Sequence, residues 1–88
     1  MAIIITYDIP SKHSEFKQEM FKQGYKDFIS DPNCKINLPN TTLYHATNSA
    51  KQAREDAASV CNRLGVKLQR CVATQWGPDW AAICGDAL

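Results

Sequence analysis

The stretch Ile3-Ile4-Ile5-Thr6-Tyr7-Asp8-Ile9 decides how this chain is read. Three consecutive β-branched isoleucines favour extended backbone and suit a central strand, covered on both faces or at a subunit contact. The strand is predicted over Ala2 to Asp8, because Asp8 ends the apolar run and Pro10 cannot continue a ladder. Outward from it, Ser11 stands where an N-cap is needed for a helix running to about Gln23. Phe16, Met20 and, less cleanly, Phe21 supply the apolar face of that helix, with Lys12, Glu15, Glu19 and Lys22 on the other side. Gly24 is placed to stop it.

The next segment, Tyr25 to Asn40, carries two turn signals, Asp31-Pro32-Asn33 and Leu38-Pro39-Asn40. A short strand over Cys34 to Leu38 and a Thr- and Tyr-rich strand over Thr41 to Thr47 are expected to form a hairpin. Ser49-x-x-Gln52 has the form of a capping box. Ala50, Ala53, Ala57, Val60, Cys61 and Leu64 follow at helical spacing on one side of a second helix, which Gly65 closes. The small alanines allow that helix to lie close to a sheet. Val66 to Thr74 reads as a further strand, with Val66, Leu68, Arg70 and Val72 alternating against Lys67, Gln69, Cys71 and Ala73; Gly77-Pro78-Asp79 breaks it, and the short apolar run Trp80 to Cys84 follows.

The predicted order is β-α-β-β-α-β plus a tail. This is a single α+β domain over residues 1–88 in the ferredoxin-like order, an antiparallel sheet with two helices on one face. The tail residues Trp76, Trp80 and Ile83 have little remaining core to cover in one chain and are expected at a dimer interface. The 88 residues are 44% hydrophobic and 22% charged, ordinary globular composition. Ten basic and nine acidic residues leave +1, which excludes a polybasic nucleic-acid binder of histone type. The opening apolar run is too short to span a membrane and lacks the form of a signal peptide, so a cytoplasmic protein with no membrane partner is expected. In that compartment the Asn40-Thr41-Thr42 sequon is silent. Cys34, Cys61, Cys71 and Cys84 contain no C-x-x-C pair, so four reduced, metal-free and mostly buried thiols are expected.

Asp8 is the sharpest candidate for chemistry. A carboxylate at the end of an apolar strand, one from each subunit across a twofold axis, has the character to hold Mg²⁺. The alternative is that Asp8 accepts backbone N–H bonds in the loop before the first helix. Lys12 and His13 are candidate nucleic-acid contacts, and His13 is a candidate general acid or base; otherwise it is a surface histidine. His45 reads as a partly buried strand residue. Trp76 and Trp80 could stack on bases or bury a subunit contact.

Three features carry a resemblance. The stretch Ile3 to Ile9 is similar to the first strand of the CRISPR-associated Cas-two family, which closes with Tyr-Asp and an apolar residue. Thr41-Thr42-Leu43-Tyr44 resembles the Ser/Thr-Thr-Trp strand of the related SinR-like proteins, and Gly77-Pro78-Asp79-Trp80 is similar to their Gly-x-x-Trp tail. The resemblance implies a homodimer of ferredoxin-like subunits whose C-terminal segments extend the partner's sheet, with Asp8 at the position of the metal-binding acid. Two functions follow as expectations. One is a non-catalytic dimeric module that binds nucleic acid or protein in a defence or mobile-element setting. The other is a Mg²⁺-dependent endoribonuclease or endonuclease using Asp8 from both subunits.

Overall fold

The computed structural model describes residues 1–85. Its elements are β1 (Ile3–Asp8), α1 (His13–Lys22), β2 (Phe28–Ser30), β3 (Lys35–Asn37), β4 (Thr42–His45), α2 (Ala50–Leu64) and β5 (Arg70–Gln75). They make an α+β unit with two helices and two antiparallel sheets. The main sheet has the order β4-β1-β5, and β2 and β3 pair separately.

The predicted first strand is the centre of the main sheet. Ile3 to Thr6 pair with His45 to Thr42 on one side, and Ile3 to Asp8 pair with Gln75 to Arg70 on the other. Side chains alternate along a strand, so its two faces part cleanly. Ile3, Ile5 and Tyr7 are buried, whereas Ile4 and Asp8 are half-buried and Thr6 is exposed. The strand is thus covered fully on one face only. On that face Tyr7 meets Phe16 of α1, ring centroids 4.4 Å apart. Met20, Leu43, Ala53, Ala57, Val60 and Cys61 complete the core.

Both helices differ from their expected ends in instructive ways. Helix α1 starts after Lys12, whose backbone is left-handed (φ 59°) and whose side chain caps nothing in α1. Ser11 is therefore not the N-cap. The Lys12 ammonium instead donates to the carbonyl of Leu64, 2.9 Å away, at the carboxyl end of α2. That is where a cation satisfies an orphan carbonyl and the helix dipole together. Phe21, expected on the apolar face, is exposed. In α2 the Ser49 hydroxyl accepts from the Gln52 amide as expected. The Gln52 side chain, however, bonds Asp56 rather than returning to the Ser49 amide, which bonds Asn48 instead. Gly65 closes α2 in the left-handed conformation. Gly24 follows α1 at φ 94°, where a Cβ would stand 2.9 Å from His45 Nε2.

The expected hairpin is rearranged. The Asp31-Pro32-Asn33 turn, in which the Asn33 amide bonds the Asp31 carboxylate, joins β3 backward to β2 instead of forward. Pro39 and the left-handed Thr41 (φ 58°) then turn the chain so that β4 pairs with β1. Lys26 makes one antiparallel bridge to Tyr44 on the far side of β4. The last strand is shorter than predicted, because residues 66–69 are not extended into the ladder. The core-facing phase also shifts there. Val66 and Leu68 pack on the core before it, and Cys71 and Ala73 after it, leaving Val72 on the opposite face.

The cysteine expectation is corrected. Cys34 and Cys84 form a disulfide, their Cα atoms 6.0 Å apart, and only Cys61 and Cys71 are free thiols. Sequence spacing could not show this pair, because a 50-residue separation is closed by the fold and not by a motif. The chain's last described segment is consequently tied to its own β3, where the Asn37 amide donates to the Cys84 carbonyl at 3.0 Å.

Ala57 is fully buried between α2 and the sheet. Ala57→Leu should destabilise the fold by about 1–3 kcal/mol through overpacking, read as a lowered midpoint in thermal or denaturant unfolding. An unchanged midpoint would place the alanine stripe away from the core.

Candidate functional site

The main sheet presents one face to the helices and one outward. The outward residues are Ile4, Thr6 and Asp8 of β1, Thr42 and Tyr44 of β4, and Arg70, Val72 and Thr74 of β5, by the strand registers. At one end of this face β3 and the C-terminal segment close over Ile4, Thr42 and Trp76, making an apolar groove of about 310 Å³. The other end stays open around Thr6, Asp8, Arg70 and Val72, a shallow depression of about 220 Å³.

Asp8 lies at the open end. Its Oδ2 accepts from Arg70 Nε at 2.6 Å, the two residues being directly opposed in the β1–β5 ladder. Both side chains are substantially exposed, 46% for Asp8 and 80% for Arg70, so the pair is worth no more than about 1 kcal/mol. The carboxylate is thus neither the loop cap considered from sequence nor one of a cluster of acids. Among the described residues no three His, Cys, Asp or Glu side chains converge as a metal site. One carboxylate facing a guanidinium does not fit a hard dication within a single chain.

The other candidates scatter. Lys12 is engaged at the carboxyl end of α2. His13 opens α1 and is exposed. His45, half-buried in β4, lies edge-on to Tyr25 with centroids 4.8 Å apart. Its Nδ1 accepts from the Thr47 amide at 3.2 Å, which leaves Nε2 to donate to the Gln23 carbonyl at 3.1 Å. These contacts engage both ring nitrogens in loop structure. Trp76 and Trp80 stand 5.1 Å apart, Trp80 is 40% exposed and Ile83 is 83% exposed.

Two arrangements escaped the sequence reading. The first is a polar cluster beneath α2. The buried Tyr25 hydroxyl donates to Asp56 at 2.8 Å and accepts from Asn48 at 2.9 Å, and Gln52 holds the second Asp56 oxygen. Burial, then the bond to Asp56, pushes the Tyr25 phenol above its ordinary range. Asp56 beside Ala57, four residues after Gln52, was the available signal. The second is Phe28, which carries the ammonium groups of Lys35 and Lys26 at 4.3 and 5.5 Å from its ring centroid. Both lysines thereby cover an aromatic surface of their own hairpin.

Burial also raises the Tyr7 phenol and the thiols of Cys61 and Cys71. The Tyr7 hydroxyl is buried and makes no hydrogen bond among the described residues, and its ring packs beside Phe16. No described helix is long and apolar enough to cross a membrane. Comparison with known protein families, with curated proteins and with solved structures finds no match to this chain.

Proposed function

We propose that this chain is a small homodimeric binding module with a ferredoxin-like arrangement, acting without catalysis. The β5-β1-β4 order, antiparallel throughout, supports that arrangement, with the single Lys26–Tyr44 bridge standing where a fourth strand would pair. The observation that carries the dimer is β5. It is a six-residue strand at the edge of the sheet, with Val72 exposed to 64% beside it on the outward face. Monomeric proteins blunt such edges with charges, prolines or bulges. Here the only charge on β5 is Arg70 at its first position, and it is drawn to Asp8.

A second copy related by a twofold axis presents the same edge in antiparallel sense, so the surface is complementary to itself. Val72 would sit near the centre of the contact, with Trp76, Trp80 and Ile83 adding apolar surface from the outward face and tail. The apolar groove over Ile4, Ile36 and Trp76 at one end of this face favours protein over nucleic acid as its occupant. A defence or mobile-element setting belongs to this reading through the Cas-two and SinR-like resemblance, and a place in the cytoplasm through the short opening apolar run without the pattern of a signal peptide.

The second reading is a Mg²⁺-dependent nuclease. What favours it is the accessible Asp8 carboxylate at the mouth of the open depression, and it requires the partner's copy of the same acid. Asp8→Asn separates the two. The nuclease reading expects divalent-dependent cleavage of labelled RNA or DNA that this substitution abolishes while folding is retained. The binding-module reading expects no cleavage by either form.

Sedimentation tests the dimer. The native chain should sediment as a dimer at micromolar concentration. Val72→Lys should give a folded monomer whose Tm matches that of the native chain at dilutions where its dimer is dissociated, since the replaced side chain is exposed within one chain. A native chain that stays monomeric at tens of micromolar would overturn the proposal.

A further inference from the structure

Residues 81–85 all lie exposed along the surface. Among the described residues their attachments to the rest of the chain are few. The Asn37 amide donates to the Cys84 carbonyl at 3.0 Å, and the Asn37 side-chain amide reaches the Gly85 carbonyl at 3.5 Å. The remaining link is the Cys34–Cys84 disulfide. Ordering five exposed residues costs backbone entropy that so little buried surface and one good hydrogen bond do not offset. The position of this segment therefore depends on the covalent bond. What it walls is apolar: Ile4, Ile36, Leu38 and Trp76 form one side of a groove whose other side is Ala82 and Ile83.

We propose that the Cys34–Cys84 disulfide is a redox latch: its two-electron reduction by a dithiol frees the segment after Trp76 from β3 and opens the apolar groove over Ile4 and Ile36. Cys84 is the more exposed residue of the pair, and its sulfur is the point of attack in this proposal. A thiolate of the reductant bonds to it, the Cys34–Cys84 bond breaks, and Cys34 leaves as a thiolate that takes up a proton. The reductant's second thiol then displaces Cys84, which is protonated in turn, and the reductant departs as its own disulfide. Cys61 is buried and Cys71 half-buried against the core, so neither is placed to intercept the exchange. The core does not use the bond. The three strands of the main sheet and both helices pack through Ile3, Ile5, Phe16, Leu43 and Val60, none of which belongs to the latched segment. This inference goes beyond the dimer and does not depend on it, because the groove opens within one chain.

Amide hydrogen exchange on the air-oxidised protein, with and without dithiothreitol, tests the latch at dilutions where any dimer is dissociated. Reduction should speed exchange of the Asn37 amide at least tenfold and raise binding of an apolar fluorescent dye. The β1 amides should stay protected and remain the slowest in the chain, because loss of the cross-link reaches them only through global unfolding. Cys84→Ser and Cys34→Ser should reproduce the reduced behaviour without reductant. Unchanged Asn37 exchange on reduction would overturn the proposal. So would exchange of the Asn37 and β1 amides at one common rate after reduction, which would make the bond a staple of the whole fold. Alkylation of Cys34 and Cys84 in the folded, air-oxidised protein would overturn it as well.

Discussion

Everything in this fold hangs on one strand paired along both edges. Strand β1 exchanges ladder bonds with β4 and β5 while pressing Ile3, Ile5 and Tyr7 under the helices. Each of those side chains is essentially inaccessible, and full burial of such groups stabilises by about 1.5–3 kcal/mol apiece. A shift of the strand by one residue would turn all three outward and bring Ile4, Thr6 and Asp8 into the core. The helices can approach this surface because α2 contributes Ala53 and Ala57 at its contact. Larger groups, Phe16 and Met20, come from α1. Lys12 ties the start of α1 to the end of α2.

The same alternation creates the outward face and hence the functional reading. Helices cover one side, and among the described residues β3 and the tail cover one end of the other. The tail's position is a covalent matter. Ordering each exposed residue costs about 1–2 kcal/mol, more over this segment than one good hydrogen bond returns, so the segment is held in place by its covalent bond to Cys34.

The elements with strong local signals were legible in the sequence. The isoleucine run gave β1, Ser49 and Gly65 framed α2, and the alanine stripe identified its buried side. Pairing partners were not legible. The Asp31-Pro32-Asn33 turn is visible, but Phe28-Ile29-Ser30 is too short to announce itself as the strand it serves. A phase shift between Leu68 and Cys71 inverted the expected face of β5, since alternation is informative only while the chain stays extended. At the candidate site, Asp8 lies at its strand end as read, but a register pairing placed Arg70 on it. Lys12, read as a contact for phosphate, serves a helix terminus because the fold brings residue 64 beside it. The disulfide joins positions whose proximity is wholly tertiary.

Native-state amide exchange along β1 tests most directly whether this strand anchors the structure. The amides of Ile3 to Tyr7 that enter the two ladders should be the slowest in the chain and should open only with global unfolding. Those of the β2–β3 hairpin should exchange through local opening at much lower free energy. Exchange of the β1 amides as fast as those of the hairpin would contradict a fold built around β1.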